Sequence, residues 1–178
     1  MLRPDRDIIL LFTTRILRLF AYGGLSVVLA LYLHETGMSG AAIGILFTLT
    51  LAGDAGITLW ITTVADRVGR RRMLVLGAVL MAAAGAVFAF TESALWLIVA
   101  AIIGVISPSG NEIGPFLSIE QAALSHLVPA ERRTKLFAWY NLAGSLATAL
   151  GALGAGGLTS ALRHEGLGAL AAYRVVLL

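Results

Sequence analysis

The sequence predicts an all-α membrane protein, a polytopic bundle of transmembrane helices. Three observations carry this. Of 178 residues, 58% are hydrophobic and only 13% charged, where a soluble domain carries about a quarter charged residues. The mean hydropathy is +0.89. The apolar residues gather into runs long enough to cross about 30 Å of hydrocarbon, which takes about 20 helical residues. The long alternating pattern of a membrane β-barrel is missing, and only helices and closed barrels satisfy their backbone groups in lipid. The absence of cysteine excludes disulfides, thiolate catalysis and zinc–thiolate sites.

Five runs qualify as spans, over residues 8–33, 41–64, 73–90, 95–124 and 136–158. A sixth begins at Leu170 and reaches Leu178 after nine residues, about 13 Å of helix, so the chain reads as truncated inside a helix. The first span reads as a retained helix rather than a signal peptide. Its apolar run is too long, Arg15 and Arg18 interrupt it, and no A-x-A-like cleavage site follows. The connections are short, at 34–40, 65–72, 91–94, 125–135 and 159–169. They imply an up-down bundle of sequence neighbours without a soluble domain.

Lys and Arg collect in cytoplasmic loops. Arg3, Arg6, Arg67, Arg70, Arg71, Arg72, Arg132, Arg133 and Lys135 fall on one side, and Arg163 alone on the other. The N-terminus is therefore expected in the cytoplasm. The net charge of +3 is a matter of topology, and no nucleic-acid partner is implied.

The sharpest local signal is Asp66-Arg67-Val68-Gly69-Arg70-Arg71-Arg72, between the second and third spans. Basic anchoring explains the arginines but not Asp66. A carboxylate at a helix end, with Arg one and four residues on, suggests an ion-paired latch. Gly69 permits the left-handed backbone of a tight reversal.

This loop resembles the D-R-x-G-R-R signature of the major facilitator superfamily of transporters, where it also joins the second and third helices. The family motif opens with Gly four residues before the Asp; here that position is Thr62. Pro129-Ala130-Glu131-Arg132-Arg133 is similar to the P-x-x-R loop before the family's fifth helix. Gly144 to Gly157 is a Gly/Ala-rich run like the one in that helix, without the Pro of the antiporter pattern. The resemblance implies a twelve-helix transporter of two six-helix halves around a central cavity, with substrate near the midplane and alternating access. Residues 1–178 would be most of its N-terminal half, and the C-terminal six-helix half its missing partner. It also makes Asp66, Arg67, Gly69, Arg70 and Arg71 a conformational-switch motif.

Polar residues inside spans are costly in hydrocarbon, about 2.5 to 3.5 kcal/mol for a mid-helix charge. Arg15, Arg18 and Tyr22 share one face of the first helix. Arg15 is expected to snorkel toward the interface, while Arg18 lies deeper. Asp54 is deep in the second span, either a structural hydrogen-bonding group or a protonatable or cation-binding carboxylate. Residues 107–115 hold Pro108, Gly110, Gly114 and Pro115 around Asn111 and Glu112, which should break the fourth helix beside a buried acid. By resemblance the first and fourth helices line the cavity, which brings Arg18 and Glu112 forward. Glu120 is expected to reach the cytoplasmic interface and pair with the Arg cluster. Gly44, Thr48, Ala52 and Gly56, and likewise Gly144, Thr148, Ala152 and Gly156, form small-residue stripes suited to close packing. His34, His126 and His164 are expected in loops, without metal-ligand spacing.

With these residues, the resemblance implies secondary active transport of a small solute, with protons as a candidate coupling ion and the plasma or inner membrane as the expected location. Arg18, Tyr22, Asp54, Asn111 and Glu112 are the substrate or coupling candidates. The alternative is a non-transporting membrane fragment or scaffold. No nucleophile–base pair or phosphate loop points to an enzyme, and no cofactor or metal is implied.

Overall fold

The computed structural model describes residues 4–91, 93–103 and 115–177. Among them are seven helices and no strand: α1 (Pro4–Glu35), α2 (Gly40–Val68), α3 (Arg70–Phe90), α4 (Ala94–Ile103), α5 (Pro115–Leu127), α6 (Ala130–His164) and α7 (Ala169–Leu177). α1, α2, α3 and α6 are long and apolar enough to cross a membrane. The expected fourth span is described as two pieces of 10 and 13 residues, α4 and α5. Four long spans are therefore found among the described residues, and the middle of the expected fourth span, residues 104–114, lies outside them. α5 opens at Pro115, whose fixed φ suits a first helical turn and whose ring disfavours helix just before it. Asn111, Glu112 and the expected break around Pro108 lie outside the described residues.

Several helices outrun their apolar runs. α6 starts at Ala130, directly after Pro129, and Glu131 in its first turn suits the positive end of the helix dipole. His34, His126 and His164 sit in last turns rather than loops, where a basic ring suits the negative end. Polar residues need not end a helix that has already left the hydrocarbon.

The bundle is not arranged by sequence neighbours. α1 packs principally along α6, and α2 packs on α4 and α5 more than on α1. Short connections fix the direction of successive helices, but complementary faces decide which ones touch. On α1 and α6 those faces are glycine. A Cβ on Gly23 would fall on the carbonyl of Thr148, and one on Gly151 on the carbonyl of Phe20. The two backbones meet directly, the contact that drives association where lipid removes any hydrophobic gain between helices. The buried face of α6 runs through Tyr140, Gly144, Ala147, Gly151, Ala155 and Thr159. Of the expected α6 stripe only Gly144 is fully buried. The α2 stripe is exposed throughout.

Apolar side chains also cover the outside, with Leu17 65%, Leu59 68% and Leu153 73% exposed. Inside, Val28, Leu29, Tyr32 and Leu33 of α1 pack with Leu46, Phe88, Leu97 and Tyr173 at one end. Ile61, Met73 and Ile119 form a smaller cluster. Leu19, Tyr22 and Ala147 form a third beside the charged centre described next.

Candidate functional site

Arg15, Arg18, Leu19 and Tyr22 form the buried face of α1 at this level, all below 7% exposure. Spacings of three and four put them on one side of a helix. Arg18 reaches Glu120 of α5 in a fork: Nη1 donates to Oε1 at 3.0 Å and Nη2 to Oε2 at 2.9 Å. This is a fully buried ion pair, with side chains 6% and 2% exposed. Two parallel bonds to an ionised acceptor are the strong geometry for this pairing. Tyr140 of α6 donates its hydroxyl to the same Oε2 at 2.6 Å. Phe116, one turn before Glu120, lies under the Arg18 guanidinium, whose carbon is 4.2 Å from the ring centre.

Arg15 extends the network. Its guanidinium carbon is 4.0 Å above the Tyr140 ring, and Nη2 donates to Asn141 Oδ1 at 3.2 Å. Phe12 meets the same ring edge-on, with centroids 4.9 Å apart. Tyr140 is thus the hub, contacting Arg15 by its face, Phe12 by its edge and Glu120 by its hydroxyl. Charge is delocalised or paired at each contact, which is how an ionic group persists away from water.

Two expectations are corrected. Glu120 does not reach the interface or the Arg cluster; it is 1% exposed and satisfied by Arg18 and Tyr140. Arg15 does not snorkel, because the Tyr140 ring and Asn141 give it partners within the bundle. Arg18 and Tyr22 are brought to this centre. Asp54, 3% exposed, is not ion-paired to Arg18, and among the described residues its carboxylate has no hydrogen-bond partner. Tyr140, Asn141 and Phe116 were missed by sequence reasoning. The available signal was arithmetic: two arginines on one buried helix face need acceptors, and Glu120 lies one turn past Phe116.

The segment Asp66–Arg72 is tighter than a loop. α2 runs through Val68, α3 begins at Arg70, and Gly69 joins them alone with φ 106°. Its carbonyl accepts from the backbone N–H groups of Arg72 and Met73 at 3.1 and 3.2 Å, starting α3. Arg67, Arg71 and Arg72 are exposed. The side chains of Asp66 and Arg70 lie outside the described residues. Thr62, in the place of the motif's first Gly, donates to the Thr58 carbonyl at 2.7 Å.

Long apolar helices, an apolar exterior and a buried charged centre define an integral, multi-pass helical membrane protein. The sequence pattern of the Major Facilitator Superfamily matches residues 11–177, and the chain belongs to that superfamily. A membrane protein of Saccharomyces cerevisiae, itself described as uncharacterized, is 44% identical over 176 residues. That alignment takes in 98% of this chain and 39% of the yeast protein, so the chain spans about two fifths of its relative's length. No solved structure matches.

Proposed function

We propose that the protein is a secondary active transporter that moves a small solute by alternating access. Residues 1–178 contribute its N-terminal bundle, and a further bundle, for which the longer yeast relative leaves room, completes the cavity. The observation that carries this reading is the buried Arg18–Glu120 pair with its Tyr140 hydroxyl, spanning α1, α5 and α6. Membership of a transporter family supports the class; the network supports the site.

A forked pair shared by three helices has two stable arrangements. Arg18 can hold Glu120, or it can hold an anionic group of the solute while Glu120 takes a proton. Exchange between them couples occupancy to helix position without leaving a bare charge in the low-dielectric interior. Tyr22, one turn from Arg18, and Asn111 and Glu112 of the fourth span complete the set on this reading. The Asp66–Arg71 junction then acts as the switch between conformations. The excess of basic residues at the start of α1, the α2–α3 junction and the start of α6 supports a cytoplasmic side for those ends, with the plasma or inner membrane as the membrane on this reading.

The test is uptake of a labelled solute panel by cells expressing the full-length protein, compared with its Arg18→Ala variant. Arg18→Ala should weaken uptake of an anionic solute by ten-fold or more, the order expected for a lost charge-assisted bond. Equal uptake by both forms across the panel would remove the network from the transport site.

A further inference from the structure

A cavity of about 540 Å³ opens between α1, α6 and α7, within the size range of small-molecule sites, about 300–1,000 Å³. It lies apart from the Arg18 network: Thr159 in its wall is nineteen residues past Tyr140, about 28 Å along α6. The α1 wall is apolar, with Val27 37% and Leu31 47% exposed. The α6 wall begins at Gly156, where an added Cβ would meet nothing within 4 Å. It then turns polar through Thr159, Ser160, Arg163 and His164. Thr159 and Arg163, like Ser160 and His164, are four residues apart and share a face. Helical side chains lean toward the N-terminus, which sets Arg163 and His164 back over the two hydroxyls. Tyr173 of α7 closes the third side.

Thr159 is 9% exposed, and its Oγ1 is buried without a hydrogen-bond partner among the described residues. Thr148 of the same helix instead bonds back to the Gly144 carbonyl at 3.2 Å. No carboxylate lines the cavity among the described residues, so nothing described within it neutralises Arg163. A basic last turn suits the helix dipole, but that accounts neither for the unspent hydroxyl nor for the cavity beside it. Topology does not account for it either, because the basic excess lies at the opposite helix ends. Guanidinium and hydroxyl donors fit the oxygens of a phosphate. The apolar α1 wall beside them fits a hydrocarbon chain, which a soluble anion lacks.

We propose that this cavity binds a membrane phospholipid, its phosphate held by Thr159, Arg163 and His164 and one acyl chain lying along Val27 and Leu31. Basic pockets between transmembrane helices suit such headgroups. The proposal needs only that the protein sits in a bilayer; it does not rest on the transporter reading.

The experiment titrates the purified full-length protein in detergent with three probes and reads binding by native mass spectrometry. The probes are phosphatidylglycerol, a diacylglycerol with the same chains but no phosphate, and glycerol phosphate, which has the phosphate but no chains. Phosphatidylglycerol should bind at least about ten-fold more tightly than either of the others, the order of one charge-assisted bond. Arg163→Gln should weaken it about ten-fold, and Thr159→Val, nearly isosteric, several-fold. Arg163 is exposed, so its variant should fold as the parent does and serves alone if the Thr159 variant does not. Diacylglycerol binding as tightly as phosphatidylglycerol overturns the phosphate contact. Glycerol phosphate binding as tightly makes the cavity a site for a soluble anion and overturns the lipid. Phosphatidylglycerol affinity unchanged by Arg163→Gln overturns the site itself.

Discussion

Replacing Glu120 with Gln removes one charge and almost no volume, so its consequences follow from electrostatics. Glu120 accepts three bonds, at 3.0 and 2.9 Å from Arg18 and 2.6 Å from Tyr140. An amide keeps one acceptor oxygen and turns its NH2 toward groups that are themselves donors. Arg18 is left 6% exposed with its counter-charge gone. Removing one partner of a buried pair costs about 3–5 kcal/mol. At about 2–4 °C per kcal/mol for a unit of this size, Tm should fall by about 6–20 °C. Removing the whole network is a different perturbation. The triple change Arg18→Met, Glu120→Leu and Tyr140→Phe removes both charges of the pair together with the hydroxyl bonded to it, and should unfold closer to the parent than the single variant does. If the proposed mechanism is right, the triple variant is stable and does not transport. The assay is fluorescence-monitored unfolding of the full-length protein in detergent, beside uptake in cells. A Glu120→Gln protein that unfolds within about 1 °C of the parent would refute the buried pair, and a triple variant no more stable than the single would refute the electrostatic reasoning.

Gly151→Ala and Gly23→Ala each force a methyl group onto a carbonyl of the opposite helix and should cost about 1–3 kcal/mol or more, read as lost yield of folded protein. Gly44→Ala and Gly156→Ala meet nothing within 4 Å and should be neutral or stabilising by about 0.5–1 kcal/mol; equal damage from all four would undo the backbone-contact account. Gly69→Ala puts a Cβ at φ 106°, a strain of about 1–3 kcal/mol, and should slow transport more than it weakens solute binding. Arg15→Lys keeps the charge but loses the planar stack on Tyr140 and should lower stability by about 0.5–2 kcal/mol, measured by the same unfolding assay. A tag at the N-terminus should be protected from external label in intact cells, and one at residues 36–39 should be labelled; the reverse would overturn the sidedness assignment.

The helices were legible because each span stays predominantly apolar over the length that lipid requires. α1, α2, α3 and α6 could be placed from apolar run length, and their ends were missed only where polar residues such as Glu131 to Lys135 continue the helix into water. Lateral arrangement was not legible. The α2 stripe of Gly44 to Gly56 and the α6 stripe of Gly144 to Gly156 have the same spacing, yet the first is exposed throughout and the second is fully buried only at Gly144, α6 packing instead through Ala147, Gly151 and Ala155. The charged centre was half legible. The depth of Arg18 demanded a partner, but Glu120 sits close enough to the end of its run to read as interfacial. Tyr140 gave no local cue, since Trp139-Tyr140-Asn141 near a span end reads equally well as an aromatic belt.

The crossing of α1 and α6 at Gly23 and Gly151 has a mechanical consequence. With backbone against backbone at two reciprocal points, neither helix can slide along the other. A slide of about one turn would bring a bulkier residue of the same face, Phe20 on α1 or Ala147 or Ala155 on α6, to a place where even a Cβ meets a carbonyl. The pair behaves as a riveted spar: it can pivot as one body, but it cannot shear. A motion that opens the charged centre then separates α5, which carries Glu120, from the spar as a whole rather than sliding α1 along α6.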